Sequence, residues 1–341
     1  MRITELHPGT EHELVLQAED ERAGYRAIVA MHSSRLGTPC GGTRLWHYDS
    51  DASALADALR LSRAMSYKAA AAGLPMGGGK AVIIADHDHA SREELFLAHG
   101  RLVEHLGGRY ITAEDVGTSH EDMAIVRRVT RHVAGLRDPS PCTARGVFRA
   151  LQAAAMRRWG SDELRGRTFA LQGCGNIGAA LVKLLQNAGA RLILADVDEA
   201  RARRAARPGM DDVVPAGAIT GTTADGFVPC ALGGVLDRAT IPRLRCEIVV
   251  GAANNQLAAR EDADRLAARG ILYGPDYIAN AGGVIDGARY LFGWTEERNA
   301  TTIDAIYDTM LDVFASADRL GITPAAAADQ LAESRLKSGG T

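Results

Sequence analysis

Apolar and polar residues alternate along the first 35 positions of the chain in the way that β-strands produce. One such stretch contains Leu14 and Leu16, and a second covers residues 26–31. Further along, the apolar run 81–85 and the shorter run 110–113 also predict strands. The first third of the chain is therefore expected to contain a sheet.

Helical patterns separate these strands. Residues 52–72 carry apolar side chains near one face and are followed by Gly73-Leu74-Pro75, which predicts a long helix that ends there. Ser91 begins a Ser-Arg-Glu-Glu sequence, and Thr118 to Glu121 has a similar form. Both resemble capping boxes, so a helix is predicted to begin after each.

Two prolines, Pro139 and Pro141, interrupt the pattern, and the domain boundary is predicted at 138/139. Beyond them, strands and helices alternate, which predicts a parallel sheet covered by helices. The predicted elements are a helix over 143–159, a strand over 168–172, a helix ending at 187, strands over 191–196, 248–250 and 271–273, and a helix beginning near 324.

Length and composition agree with this division. The chain has 341 residues, enough for about two domains, and 46% of them are hydrophobic. The net charge of −3 gives no reason to expect a nucleic-acid partner. No apolar run approaches the roughly 20 residues of a membrane helix, and the acidic N-terminus does not resemble a secretory signal. The five cysteines are widely spaced, so reduced thiols and a cytoplasmic location are expected.

A glycine fingerprint, Gly173-x-Gly175-x-x-Gly178, lies between a predicted strand and a predicted helix. Such glycines allow a tight turn and a close approach of the backbone to a pyrophosphate at the helix N-terminus. Asp196 ends the next strand about 20 residues later, where an acid that binds ribose hydroxyls is expected. The sequence therefore predicts a dinucleotide site and favours NAD, because the carboxylate would repel the 2′-phosphate of NADP. Arginines at 201, 203 and 204 could instead accommodate that phosphate.

Three ionisable residues are candidates for chemistry, although each has an ordinary interpretation when taken alone. Lys80 follows three glycines and could be a base with a lowered pKa or a solvated loop lysine. Lys68 could be a surface lysine at a helix C-terminus, and Asp115 a turn carboxylate. His87 and His89 could suggest a metal, but a solvated turn is the preferred interpretation, and no metal is predicted.

The order of several motifs resembles the leucine, valine and phenylalanine branch of the amino-acid dehydrogenase family over nearly the whole chain. The motifs are Gly41-Gly42-Thr43-Arg44, Ser66-Tyr67-Lys68-Ala69, Gly77-Gly78-Gly79-Lys80, Thr112-Ala113-Glu114-Asp115, Pro229-Cys230-Ala231-Leu232, Gly251-Ala252-Ala253-Asn254-Asn255 and Asn280-Ala281-Gly282-Gly283. The resemblance implies an α/β fold with two domains and a cleft between them. Residues 1–138 would form a mixed α/β substrate and oligomerisation domain, with helices at about 318–341 packing back on it. Residues 139–317 would form a Rossmann-type NAD domain.

The resemblance also implies roles for individual residues. Lys80 would be the catalytic lysine, Asp115 its partner that supplies a proton to the departing ammonia, and Lys68 the cation that binds the substrate carboxylate. The other substrate-binding residues would be Cys40, Gly41, Ala113, Asn255, Val284 and Gly287. The cofactor-binding residues would be Thr143, Gly173, Gly175, Asn176, Ile177, Gly178, Asp196, Cys230, Ala231, Asn254 and Asn280. The division of roles between Asn254 and Asn255 stays open.

The implied reaction is the NAD-dependent, reversible oxidative deamination of an L-amino acid to a 2-oxo acid and ammonia by a homo-oligomer. Cys40 and Gly287 stand where the leucine enzymes carry Leu and Val, so the pocket is expected to accept a branched chain and also an aromatic one. Glutamate is disfavoured because the lysine and the hydroxyl that would bind its side chain are missing. The remaining alternatives are an aromatic amino-acid dehydrogenase, a glutamate dehydrogenase, and a catalytically silent NAD-binding protein.

Overall fold

The structure, a computed structural model, describes residues 1–85, 91–134 and 138–339. The chain divides into two compact units. The first unit comprises Met1–Asp138, Tyr290–Gly293 and Ala332–Thr341, and the second comprises Pro139–Arg289 and Trp294–Leu331. The segment at about 318–341 was expected to pack on the first unit. Of this segment, the first unit includes only the residues from Ala332 onward. It also includes the short piece Tyr290–Gly293.

The first unit contains a mixed sheet in the order β1-β2-β3-β5-β4-β6. The pairs β1–β2, β2–β3 and β3–β5 are antiparallel, whereas β4 is parallel to both β5 and β6. The elements are β1 Arg2–Glu5, β2 Leu14–Asp20, β3 Tyr25–Ser33, β4 Pro39–Trp46, β5 Gly77–Ile84, β6 Ile111–Glu114, α1 Asp51–Ala71, α2 Arg92–His105 and α3 His120–Arg127, with a 3₁₀ turn at Glu21–Ala23.

Helices cover both faces of this sheet. Alternate residues of β3 point to opposite sides, so Ile28 packs in the cluster formed with α1, while Val29 packs in the cluster formed with α2 and α3. Tyr25 and Phe96 are among the largest side chains buried in the second cluster. Burial on both faces explains why β3 is almost continuously apolar and only partly alternating.

The second unit contains a fully parallel sheet in the order β12-β11-β10-β7-β8-β9. Its strands are β7 Thr168–Gln172, β8 Arg191–Ala195, β9 Asp212–Val213, β10 Gly226–Pro229, β11 Ile248–Val249 and β12 Leu272–Tyr273. Its helices are α4 Ser140–Trp159, α5 Asn176–Asn187, α6 Glu199–Ala205, α7 Asp262–Ala268, α8 Asp276–Ala279, α9 Gly282–Phe292, α10 Glu296–Asp304, α11 Ile306–Leu320 and α12 Pro324–Ser338, with 3₁₀ turns at Ile219–Gly221 and Ile241–Arg243. The strand order reverses beside β7, as in Rossmann-type sheets, so a ligand site is expected at its carboxyl end.

The end of α12 belongs to the first unit and contacts α1. The guanidinium of Arg335 donates to the carbonyl oxygens of Ala70 (3.0 Å) and Ala71 (2.7 Å), in the last turn of α1. The hydroxyl of Tyr67 donates to Glu333 over 2.9 Å. A cation therefore satisfies the carbonyls at the C-terminus of the helix that carries Lys68.

Several local predictions differ from the structure. The strand predicted over 81–85 begins at Gly77 and includes Lys80, so the interpretation of Lys80 as a loop lysine is wrong. The capping box predicted at Ser91 is absent, because Ser91 is not extended (φ −117°, ψ 50°) and its side chain makes no cap bond. The second box belongs to Ser119 and Asp122 instead of Thr118 and Glu121.

Candidate active site

The first unit brings Lys80 and Asp115 into direct contact. Lys80 lies on β5 and Asp115 directly follows β6, and the Lys80 Nζ is 2.8 Å from Asp115 Oδ2. Lys80 is only 4% exposed. Burial lowers the pKa of Lys80, and the neighbouring carboxylate opposes that shift without cancelling it. A buried lysine with a lowered pKa is suited to accept a proton near neutral pH.

Asp115 is held as an anion. Burial alone would raise its pKa, but Lys80 and Arg44 together lower the pKa of this carboxyl below its usual value. The Arg44 Nε donates to the same oxygen, Oδ2, over 3.1 Å. Sequence reasoning assigned Asp115 as a proton donor, whereas an ionised carboxylate must first accept a proton before it can donate one.

Thr118 fixes the turn that carries Asp115. Its hydroxyl accepts from the Asp115 backbone N–H (2.9 Å) and donates to the carbonyl of Thr43 on β4 (3.0 Å). This explains why Thr118 does not cap α3, since its side chain ties the Asp115 turn to the neighbouring strand.

The glycines before Lys80 allow backbones to pack closely. A Cβ on Gly78 would overlap the backbone nitrogen of Ser66 on α1, and a Cβ on Gly41 would overlap the carbonyl of Gly79. The absence of side chains at these positions lets α1, β4 and β5 approach one another.

Lys68 lies in the last turn of α1, two residues after Ser66, and is half-buried. Ser66 packs against Gly78, and Lys80 follows Gly78 two positions later, so the two lysines lie on elements that pack directly on each other, α1 and β5. Cys40 and Gly41 are buried on β4, and Ala113 lies opposite Gly42 on β6. Burial raises the pKa of the Cys40 thiol to about 12, which keeps this thiol neutral near pH 7.

The glycine fingerprint of the second unit occupies the expected turn between β7 and α5. Gly173 has φ +97° and a Cβ there would lie 2.9 Å from the Ala231 nitrogen. A Cβ on Gly178 would overlap the carbonyl of Gly173 and approach the Cβ of Cys230 (3.6 Å). A Cβ on Gly175, in contrast, would meet no described atom within 4 Å. Two glycines thus build the turn, while the backbone at Gly175 is left open to a ligand.

Asn176 and Ile177 form the first turn of α5, where backbone N–H groups have no helical partner. Asp196 follows β8 and orients the loop: its Oδ2 accepts from the Cys174 N–H (2.7 Å) and its Oδ1 from the Asp198 N–H (2.8 Å). A carboxylate has about four acceptor positions, so capacity remains for ribose hydroxyls. The residues present therefore fit a bound dinucleotide.

A second group of predicted cofactor residues surrounds the start of α4 and the turn after β11. Asn280 donates from Nδ2 to Ala252 O (3.0 Å) and to Asn254 Oδ1 (2.8 Å). Asn255 has φ +51°, the one positive φ of a non-glycine residue in the described part of the chain. Such a conformation is uncommon and is often found at functional sites. The Thr143 hydroxyl donates to Pro139 O over 3.0 Å.

Val284 and Gly287, predicted for substrate binding, lie on α9 and are half-buried. They and the cofactor-binding residues belong to the second unit, whereas Lys68, Lys80, Asp115, Cys40, Gly41 and Ala113 belong to the first. Arg44 is the functional residue that the sequence reasoning missed, although it stands in the quoted Gly-Gly-Thr-Arg motif.

Comparisons with known proteins identify the family of the chain. Residues 11–132 match the dimerisation domain of the Glu/Leu/Phe/Val dehydrogenases, and residues 194–328 match the Glutamate/Leucine/Phenylalanine/Valine dehydrogenase family model. The chain belongs to the Glu/Leu/Phe/Val dehydrogenase family. It is an amino-acid dehydrogenase. The predicted family resemblance and the predicted two-domain α/β fold class are confirmed. Enzymes of this family depend on pyridine nucleotides.

Individual relatives cover nearly the whole chain. It is 44% identical to leucine dehydrogenase of Thermoactinomyces intermedius, over 99% of this chain and 94% of the relative. It is 46% identical to valine dehydrogenase of Streptomyces coelicolor, over 95% and 92% respectively. Among solved structures, L-tryptophan dehydrogenase from Nostoc punctiforme superposes with a TM-score of 0.87 at 42% identity, covering 96% of this chain and 97% of that one.

Two further observations concern metal clusters and membrane spans in the described residues. In the described residues no cluster of three or more His, Cys, Asp or Glu side chains is suited to hold a metal, and His87 and His89 lie outside those residues. None of the described helices combines the length and apolar character needed to cross a membrane.

Proposed function

We propose that this dehydrogenase catalyses the NAD-dependent, reversible oxidative deamination of an apolar L-amino acid to the 2-oxo acid and ammonia. The observation that carries the proposal is the buried contact between Lys80 and Asp115, 2.8 Å apart, in a chain of this family. A buried base paired with an ionised carboxylate supplies two separate proton-transfer groups.

The chemistry divides between these groups. Ionised Asp115 accepts a proton from the substrate ammonium, leaving a free amine whose Cα can lose hydride. Bound nicotinamide supplies the hydride acceptor. Lys80 then removes a proton from water as the water oxygen bonds to Cα of the imine. Asp115 returns its proton to nitrogen as the C–N bond of the carbinolamine breaks. The hydroxyl proton passes to the departing ammonia, which leaves as ammonium together with the 2-oxo acid, and Lys80 then releases its proton to solvent. Lys68 would neutralise the substrate carboxylate throughout.

The choice of NAD over NADP rests on Asp196 and its surroundings. Two of the nearby arginines already have acidic partners in or next to α6: Arg201 pairs with Asp198 (3.3 Å) and Arg203 with Glu199 (2.7 Å). These pairs reduce the capacity of either arginine to neutralise a 2′-phosphate, whereas the Asp196 carboxylate repels one.

The side chain of the substrate is proposed to be apolar and branched, with an aromatic side chain as the second candidate. Relatives of similar identity are a leucine, a valine and a tryptophan dehydrogenase. A Cβ on Gly287 would meet no described atom within 4 Å, which favours room for a larger side chain. Burial of a glutamate side chain without a cationic partner would be costly.

The test is NADH formation at 340 nm with L-leucine, L-valine, L-isoleucine, L-phenylalanine, L-tryptophan and L-glutamate. We expect the highest kcat/KM among the apolar substrates, with overlap between them because one methylene is worth only about 1–3 kcal/mol. The highest kcat/KM with glutamate, or turnover of none of them, would contradict the proposal. A strong preference for valine over phenylalanine would exclude the enlarged pocket.

A further inference from the structure

Arg44 connects the Lys80–Asp115 pair to a second carboxylate. It lies on β4, in register with Val82 of β5, and its side chain is 21% exposed. Its Nε donates to Asp115 Oδ2 (3.1 Å), and its Nη1 donates to Asp57 Oδ2 (2.9 Å). One planar guanidinium therefore bridges two carboxylates, a geometry that a point charge such as lysine does not reproduce.

Asp57 is itself held in place. It lies on α1, and its Oδ2 also accepts from the Tyr48 hydroxyl (2.7 Å), while its Oδ1 accepts from Arg60 Nη2 (2.7 Å). Burial would raise the pKa of Asp57, but Tyr48, Arg60 and Arg44 lower it overall. Asp57 is thus a fixed anion that orients the Arg44 fork.

The arrangement places alternating charges in a row, from Lys80 through Asp115, Arg44 and Asp57 to Arg60. Lys80 and Arg44 both bind Asp115 Oδ2. Arg44 therefore fixes the same carboxylate oxygen that the Lys80 ammonium contacts. It also repels the Lys80 ammonium, which contributes to the lowered pKa of that lysine.

We infer that Arg44, oriented by Asp57, is a positioning residue that sets the pH range in which Lys80 and Asp115 exchange protons with the substrate. The inference rests on the proposed function, since it concerns the same two groups. Neither residue would touch the reacting atoms, and both would act through Asp115 and Lys80.

Other charged groups near this row are accounted for. Asp57, Tyr48 and Arg60 face Arg44 from α1 and the turn before it. Tyr110, behind β4, donates its hydroxyl to Gly41 O over 2.6 Å. Glu114 is next to Asp115 on β6 but pairs with His120. Among the described residues, the charges with the largest effects on Lys80 are Asp115, Arg44 and Asp57.

The test uses Arg44→Gln with two readouts. The pKa of Lys80 is measured without substrate, from the pH dependence of its acetylation by trace acetic anhydride, read by mass spectrometry of the Lys80 peptide. Removal of a like charge should raise this pKa by about one unit. The acid limb of the kcat/KM profile should move to higher pH by a similar amount, and kcat should fall by about 100-fold through misplacement of Asp115, with a smaller change in KM.

Asp57→Asn distinguishes two roles of Asp57: orientation of Arg44, or a direct electrostatic effect of its charge on Lys80. The Asp57 charge by itself raises the pKa of Lys80, so its loss alone would lower that pKa. If Asp57 acts by orienting Arg44, the pKa of Lys80 instead rises, in the same direction as in Arg44→Gln. The double variant should then resemble Arg44→Gln, because the two residues act as one unit.

Two further variants complete the design. Arg44→Lys keeps the positive charge but loses the planar guanidinium that bridges the two carboxylates. The pKa of Lys80 should therefore move less than in Arg44→Gln, while kcat should stay low because Asp115 is still misplaced. Arg26→Gln is the matched control, since Arg26 on β3 pairs with Asp51 on α1 and touches neither Lys80 nor Asp115. An unchanged Lys80 pKa in Arg44→Gln, or a lowered one in Asp57→Asn, would overturn the inference. Because the labelling needs no substrate, this outcome is distinct from failure of the substrate panel.

Discussion

The two candidate sites differ in where they place an open glycine and in how they use charge. In the first unit, Gly41 and Gly78 are filled positions, where a Cβ would overlap backbone atoms of an adjacent strand or helix. In the second, Gly175 borders open space. The first unit also concentrates charges in a buried row, whereas the nucleotide loop of the second offers backbone N–H groups and one carboxylate, Asp196. The first site is thus built to hold reacting groups rigidly, and the second to admit a ligand close to the backbone.

The largest expected effect follows from removing the base of the first unit. Lys80→Ala should lower kcat by about 100- to 10,000-fold, the usual contribution of general acid–base catalysis. The dissociation constant of NADH, measured by its fluorescence, should stay unchanged because the glycine loop is intact. Loss of NADH binding together with turnover would mean that Lys80 supports the fold of both units.

Glycine-to-alanine substitutions should have different effects in the two units. Gly78→Ala forces a Cβ into the Ser66 backbone and should destabilise the protein by about 3 kcal/mol, measured by urea denaturation. Gly175→Ala has room and an ordinary φ of −68°, so stability should be unchanged while KM for NAD rises. Gly217→Ala, whose Cβ would also meet no described atom within 4 Å, is the control that should change neither property. Equal destabilisation by Gly78→Ala and Gly175→Ala would contradict the difference in packing around these two glycines.

Lys68→Ala tests substrate anchoring in the first unit. Because the ammonium would bind the carboxylate equally in the ground and transition states, its loss should raise KM for the amino acid by about 10- to 100-fold, with a smaller change in kcat. KM for NAD serves as the internal control and should not move. An amino-acid KM equal to that of the wild type would show that another group anchors the carboxylate.

Asp196→Asn tests the single carboxylate of the second unit. The wild type should prefer NAD over NADP in kcat/KM, and loss of the negative charge should narrow that ratio by about 10-fold. Asp318→Asn is the matched control, since Asp318 on α11 pairs with Arg157 on α4 and its neutralisation should leave the ratio nearly unchanged. Equal use of both cofactors by the wild type would contradict the role of Asp196.

The sequence predicted the elements that have local signatures. The strand over 168–172 and the helix ending at 187 match the structure, because parallel strands, glycine turns and helix starts have such signatures. The predictions missed β4 in the first unit and β9 and β10 in the second. The sequence of β4 contains two glycines, a threonine and an arginine, and its place between β5 and β6 depends on long-range packing.

The same difference applies to the site residues. Lys80 and Asp115 were identified through motifs, but nothing local in the sequence indicates that Arg44 reaches both Asp115 and Asp57. Those three residues come from separate elements, β4, α1 and the turn after β6, and meet only in the folded sheet. Thr118 is a similar case, since its pattern indicated a helix cap while tertiary contacts direct its hydroxyl to the Asp115 turn.

The most direct test of the central claim, that buried Lys80 acts as the base, is rescue of Lys80→Ala by small primary amines. Truncation of this nearly fully buried side chain leaves space for methylamine or ethylamine. We predict that added amine restores turnover and that the acid limb of the rescued kcat/KM profile follows the pKa of the amine used. Retention of a tenth or more of wild-type kcat without amine, or a rescued limb that is the same for amines of different pKa, would contradict the account.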